Sequence, residues 1–118
     1  MKPIQPADRR VANIHTAAYT PFPGAPGTGV LQLGTDTPPG VGFHVYKMEP
    51  GARSEAHEHT GNEEFLVLEG ELIDNDGTVY RPGDLVWLGK GTQHYSDAPN
   101  GCLLAVYIPV AEQMIDPD

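Results

Sequence analysis

The stretch GARSEAHEHTGNEEFLVLEG, residues 51–70, decides how the rest of the chain has to fold. Successive side chains of an extended strand point to opposite faces, so His57 and His59 share a face and Glu58 between them looks away. Two imidazoles so placed are a natural ligand pair. Glu63 lies six residues beyond His57, about 20 Å off along a straight strand rising roughly 3.3 Å per residue. A straight chain cannot chelate, so the backbone must double back at Thr60, Gly61 and Asn62. These are turn formers, glycine because it tolerates positive φ and asparagine because it hydrogen-bonds locally. Beyond the turn, residues 65–68 (FLVL) are continuously apolar, which requires a strand covered on both faces, by a second sheet or by a partner subunit.

Working outward, the chain reads as all-β. Its 14 glycines and 12 prolines recur at intervals that break helices and leave room for short strands. Upstream, residues 1–29 contain the tract PFPGAPGTG and form an N-terminal arm, either ordered or free, ahead of a barrel over residues 30–110. Residues 30–33 make a short strand. Residues 42–48 make a better one, alternating Phe43 and Val45 on one face with His44, Tyr46 and Met48 on the other. His44 therefore either lines a pocket or is packed and hydrogen-bonded without metal, and the second reading is preferred. Downstream, residues 71–80 form a hairpin around Asn75, Asp76 and Gly77. Residues 85–88 follow as a strand whose Trp87 is expected in the core or a pocket wall. His94 opens a strand of mixed polarity, residues 103–108 close the sheet, and residues 111–118 (AEQMIDPD) trail away as an acidic tail.

Composition excludes several functions. At 118 residues there is room for one core and not two. A formal charge of -9 with only seven Lys and Arg argues against nucleic acid and anionic membrane as partners. Cys102 is the single cysteine, so no intramolecular disulfide forms and a reducing cytoplasm fits. Leu103 and Leu104 beside it point to a buried, inert thiol. No window approaches the roughly 18 apolar residues of a spanning helix, and the N-terminus lacks the apolar run of a secretion signal.

The spacing of residues 51–70 is joined by a second block: Gly83, five residues, Gly89, Lys90, Gly91, two residues, His94. Together they resemble the two motifs of the cupin superfamily, G-x5-H-x-H-x3,4-E-x6-G and G-x5-P-x-G-x2-H-x3-N. Gly89 stands where the family has Pro, and Ala98 where it has Asn. Neither position is a ligand. The resemblance implies a cupin jelly-roll β-barrel with His57, His59, Glu63 and His94 as metal ligands. The residues alone bring only the first three together. Residues 61–84 and 91–108 further resemble the cupin-like C-terminal domain of ChrR-type anti-sigma factors, which carries zinc and helps sense oxidative stress. The sequence holds no helical sigma-binding domain upstream, so direct sigma-factor binding is not implied.

What the resemblance implies for function is a divalent transition metal, zinc first, with iron, manganese or nickel as alternatives. Four protein ligands saturate a tetrahedral zinc, whereas a six-coordinate ion keeps two open positions. The expected activity is to bind or transform a small oxygen-containing molecule, as dioxygenases and isomerases of the superfamily do; Tyr46, Tyr95, His44 and Met48 are candidate pocket residues, with an ordinary core or surface role preferred for each. A non-catalytic zinc-binding sensory module is the alternative. A homodimer is expected, because residues 65–68 need more cover than a small barrel gives.

Overall fold

A computed structural model describes residues 1–117 of the chain. After a short 3-10 turn at Pro6–Asp8, the strands run β1 (Thr20–Pro21), β2 (Thr28–Leu31), β3 (Gly42–Met48), β4 (Ala52–Arg53), β5 (His57–Glu58), β6 (Glu63–Gly70) and β7 (Leu72–Asp74). They continue with β8 (Val79–Tyr80), β9 (Leu85–Leu88), β10 (Gln93–His94), β11 (Ser96–Ala98), β12 (Cys102–Ile108) and β13 (Gln113–Met114). All pairings are antiparallel. A six-stranded sheet in the order β1-β2-β3-β12-β6-β9 and a four-stranded sheet β4-β11-β7-β8 contribute to one core, and a three-stranded sheet β10-β5-β13 carries the histidines. This is the expected jelly roll.

Alternation builds the core. On β6, Glu63, Phe65 and Val67 are buried while Glu64 and Leu66 are exposed; on β12, Cys102, Leu104, Val106 and Ile108 are buried between less buried neighbours. Phe65 and Val67 meet Leu72, Ala52 and Ala98 from the four-stranded sheet. Where β6 ends, Gly70 adopts φ +74°, and a Cβ there would lie 2.1 Å from the Gly101 carbonyl oxygen. Only glycine lets these two segments approach so closely. A register shift between Leu103 and Leu104 follows on the neighbouring strand.

Four expectations change on contact with the structure. The strand placed at residues 30–33 lies at Thr28–Leu31, paired with β3, and ends where the Gln32 side chain accepts a hydrogen bond from the Gly40 amide. The turn at residues 60–62 exists, but its residues act through long-range contacts. Gly61 has no positive φ; a Cβ on it would come within 3.0 Å of Pro109, and the Asn62 side chain accepts from the distant Lys90 amide. Trp87 is 61% exposed, because β9 points Val86 and Leu88 toward the core and Leu85 and Trp87 away from it. Finally, the acidic tail is docked: β13 pairs with β5, and the Ile115 amide donates to the Ala56 carbonyl. Within the single chain residues 65–68 are covered on one face, and Leu66 is exposed on the other.

Candidate metal centre

Pairing rather than proximity in sequence assembles this site. β10 runs antiparallel to β5 with His94 opposite His57, which brings the last histidine across 37 residues to the first. His59 follows β5 and is fixed by its amide donating to the Thr92 carbonyl and its carbonyl accepting from the Gly91 amide. Glu63 opens β6 and returns its carboxylate to within 2.7 Å of the His59 Nε2. One donor atom from each of His57, His59, Glu63 and His94 lies within 4.8 Å of all the others. His59 is only 1% exposed, and the three rings pack with centroids 4.7–4.9 Å apart.

The tautomers of the three imidazoles follow from their partners. A carbonyl can only accept, so the His57 Nδ1–H donates to Glu55 O at 2.7 Å. The Thr92 hydroxyl spends its proton on Gly89 O, leaving its oxygen to accept from the His59 Nδ1–H at 2.9 Å. The His94 Nδ1–H donates to Asp74 Oδ1 at 3.0 Å. Each neutral ring therefore turns a bare Nε2 lone pair inward. There, His57 Nε2 faces His94 Nε2 at 3.1 Å, and His94 Nε2 stands 4.0 Å from Glu63 Oε1. Acceptors so close repel one another unless a proton or cation lies among them. Separations of 2.7–4.0 Å bracket the spacing of donors held by a shared ion, roughly 3 Å for neighbours each about 2.1 Å from it. The residues present thus fit a metal ion.

Electrostatics agree with that reading. Burial pushes the His57 pKa down, favouring the neutral ligand form. At His59 burial also acts downward, but the Glu63 carboxylate outweighs it and holds the pKa above its ordinary value. An arriving cation would replace that proton. Asp74 is the support behind His94. Its buried carboxylate accepts from His94, from the Ser96 hydroxyl at 2.5 Å and from the Tyr80 hydroxyl at 2.6 Å, and these bonds overcome burial to lower its pKa. A carboxylate behind a ligating imidazole fixes its orientation and raises its basicity.

A cavity of about 160 Å³ opens beside the histidines, walled mainly by Phe22, Val41, Val106, Ile108 and Met114. His44, Tyr46 and Glu112 add polar groups to it. His44 is buried, and its Nδ1–H donates to Gly42 O at 3.0 Å, while burial lowers its pKa. The hydrogen bond of one sequence reading and the pocket-lining position of the other are both present at His44. Tyr46 lines the cavity, its hydroxyl pushed up to about 12 by burial. The other two pocket candidates do not belong to this cavity. Met48 is a core residue, and Tyr95 lies beneath the Arg53 guanidinium because its side chain points away from the histidine face. Cys102 is buried, its thiol pushed up to about 12 by burial.

Asp74, Thr92 and Glu112 carry no role in the sequence reading. Asp74 had a signal, an acid at an inward position of an apolar strand, two residues after Leu72.

The family model of the ChrR cupin-like domain matches residues 7–109. The chain belongs to this cupin family. Solved structures of similar fold include the polyketide cyclase RemF from Streptomyces resistomycificus, 21% identical over 93% of this chain and 87% of that one, with a TM-score of 0.70. An acetylacetone dioxygenase from Acinetobacter johnsonii is 17% identical over 92% of this chain and 79% of that one, TM-score 0.73. A putative acetylacetone dioxygenase from Methylibium petroleiphilum PM1 is 14% identical over 99% and 85%, TM-score 0.72. These likenesses establish the shared cupin fold. A search of the curated proteins found no match. Among the described residues no helix is long and apolar enough to cross a membrane.

Proposed function

We propose that this cupin holds one divalent transition metal through His57, His59, Glu63 and His94, and that it binds or transforms a small oxygen-bearing molecule in the adjoining cavity. The observation that carries the reading is the convergence of three bare Nε2 atoms and a carboxylate oxygen, each imidazole held by a committed Nδ1–H. A bound ion supplies Lewis acidity toward an oxygen ligand. The chain supplies the rest. Three neutral imidazoles and one carboxylate leave a divalent ion with net positive charge, which favours an anionic oxygen. The apolar walls hold the body of the ligand and exclude water. His44, with Nδ1 donating to Gly42, offers Nε2 as an acceptor for a hydroxyl or enol proton, and Tyr46 keeps its proton at neutral pH.

Size limits the ligand class. A cavity of about 160 Å³ lies below the roughly 300–1,000 Å³ of pockets that take drug-sized molecules, so the ligand is a compact carbonyl or carboxylate compound. Two of the structural neighbours being named as acetylacetone dioxygenases is in keeping with a small diketone. The test is a titration of acetylacetone into untagged protein loaded in turn with zinc, iron and manganese, alongside a Val41→Phe variant that fills the cavity without touching a ligand. Saturable, metal-dependent binding that Val41→Phe removes is expected. Equal binding to loaded and stripped protein, or no loss in the variant, overturns the cavity assignment.

A zinc-held sensory module is the second reading, favoured by the match to the ChrR cupin-like domain. With Cys102 buried and its thiol protonated, the sensing element would be the metal and not the cysteine. Closed, four-coordinate zinc that takes up no added ligand would support it over the first reading. The lone cysteine suits residence in the cytoplasm. A second copy of the chain is proposed as the cover for the outer face of the six-stranded sheet, where Phe43, Leu66, Leu85, Trp87 and Tyr107 are exposed together.

A further inference from the structure

The segment after the barrel brings one more carboxylate alongside His57, at the edge of the four-donor cluster. Ala111 is tied down by the Thr60 hydroxyl, which donates to its carbonyl at 2.5 Å. Gln113 and Met114 pair with Glu58 and His57, and the Ile115 amide donates to Ala56. Held on both sides, Glu112 has its side chain folded under the strap, 16% exposed, with Oε2 3.4 Å from the His57 Nε2. That nitrogen has no proton to give while its ring is neutral, because the Nδ1–H is already spent on Glu55 O. The contact therefore sets a carboxylate oxygen against a lone pair, at a distance two donors adopt on one ion.

Charge points the same way. Glu63 and Glu112 both line the cavity, and no lysine or arginine does. Burial and the neighbouring Glu63 push the Glu112 carboxyl up to about 7, so a proton or a cation relieves the pair, and a cation at His57 would take the place of that proton. Three imidazoles and two carboxylates would bring a divalent ion to a net charge of zero, in place of the +1 that the four ligands alone leave, so the oxygen it takes up would be that of a neutral or an anionic molecule.

Resting on the metal reading above, we propose that Glu112 is a fifth protein donor, reaching the ion from the cavity side and favouring an ion that accepts more than four donors. With five positions filled, a six-coordinate ion keeps one position, which is where the oxygen of the small molecule would enter. The strap at residues 111–115 then belongs to the site and is not an appendage.

The test uses the untagged full chain stripped with chelator, titrated with Co2+ alone and with Zn2+ alone, and monitored by calorimetry and by the visible spectrum of cobalt. Glu112→Gln keeps the shape of the side chain and removes its charge. It should weaken Co2+ binding by about 10-fold or more and strengthen the visible band, because four-coordinate cobalt absorbs far more than five- or six-coordinate cobalt. Glu112→Asp keeps the charge and draws it back by one methylene, and it should also bind more weakly. Wild-type affinity and spectrum in Glu112→Gln, or wild-type affinity in Glu112→Asp, overturns direct ligation by Glu112. A His94→Ala control separates the two levels. If it loses binding while the Glu112 variants do not, only the fifth donor is wrong; if it binds as well as wild type, the four-ligand reading falls too. Thermal melts of each stripped variant confirm that the fold is intact.

Discussion

The two faces of the six-stranded sheet are made by the same strands and are both rich in apolar residues, yet they are built to different ends. On the inner face, Glu63, Phe65 and Val67 of β6 continue into His44, Tyr46 and Met48 of β3 and Leu104, Val106 and Ile108 of β12. Among the described residues no fully buried side-chain nitrogen or oxygen lacks a hydrogen-bond partner. On the outer face, Phe43, Leu85 and Trp87 are 66%, 78% and 61% exposed, with Tyr107 and Leu66 beside them. The register lines them up: Tyr107 lies opposite Phe43 and Glu64, Glu64 opposite Trp87, and Leu66 opposite Leu85. What separates the site from the exposed apolar face here is therefore not hydrophobicity. It is the presence of polar groups that converge and are individually oriented.

That contrast can be broken from either side. The largest effect is expected at the inner face, where Phe65 is 3% exposed and stacks edge-on with Tyr80 at 5.3 Å. Phe65→Ala should cost about 3–5 kcal/mol in chemical denaturation, through lost burial and the cavity left behind. A loss below about 1 kcal/mol would mean that the two sheets do not share a packed core. Next comes Asp74→Asn, which keeps the size of the side chain but removes the charge behind His94. Zinc affinity should fall by about 10–100-fold, or roughly 1.4–2.7 kcal/mol, with little change in the melting of loaded protein at saturating metal. Unchanged affinity would detach Asp74 from the site.

The smallest effect on the isolated chain is expected on the outer face. Leu66→Lys with Trp87→Glu removes two exposed apolar residues from one patch, and each substitution should alter the folding free energy of the monomer by no more than about 0.5 kcal/mol. The consequence should appear in mass instead. Sedimentation is expected to give a dimer for wild type and a monomer for the double variant. A monomeric wild type at micromolar concentration would mean that this face is merely exposed.

How much of this could be read in the residues depended on how far apart the interacting groups lie in sequence. The alternation of Gly42–Met48, the hairpin at Gly77 and the pairing of His57 with His59 are local, and local periodicity is what a single sequence displays. Trp87 was misjudged because bulk says that a side chain wants cover without saying which face of the strand carries it; Val86 and Leu88 took the inward positions. His94 was placed only through the family pattern, since the pairing of β10 with β5 has no local signature. Asp74 and Glu112 were missed for the same reason. One reaches His94 because β7 pairs with β11, the other reaches His57 because β13 pairs with β5, and both registers are set by the closed barrel.

The central claim is that three Nε2 atoms share one ion. X-ray absorption spectroscopy at the metal edge of the zinc- or cobalt-loaded, untagged protein reads that directly, because imidazole leaves a distinct multiple-scattering pattern. The account predicts a nitrogen and oxygen shell at about 2.0–2.2 Å that includes three imidazoles and no sulfur. A bound ion with fewer than three imidazoles, or a shell containing sulfur, would contradict it.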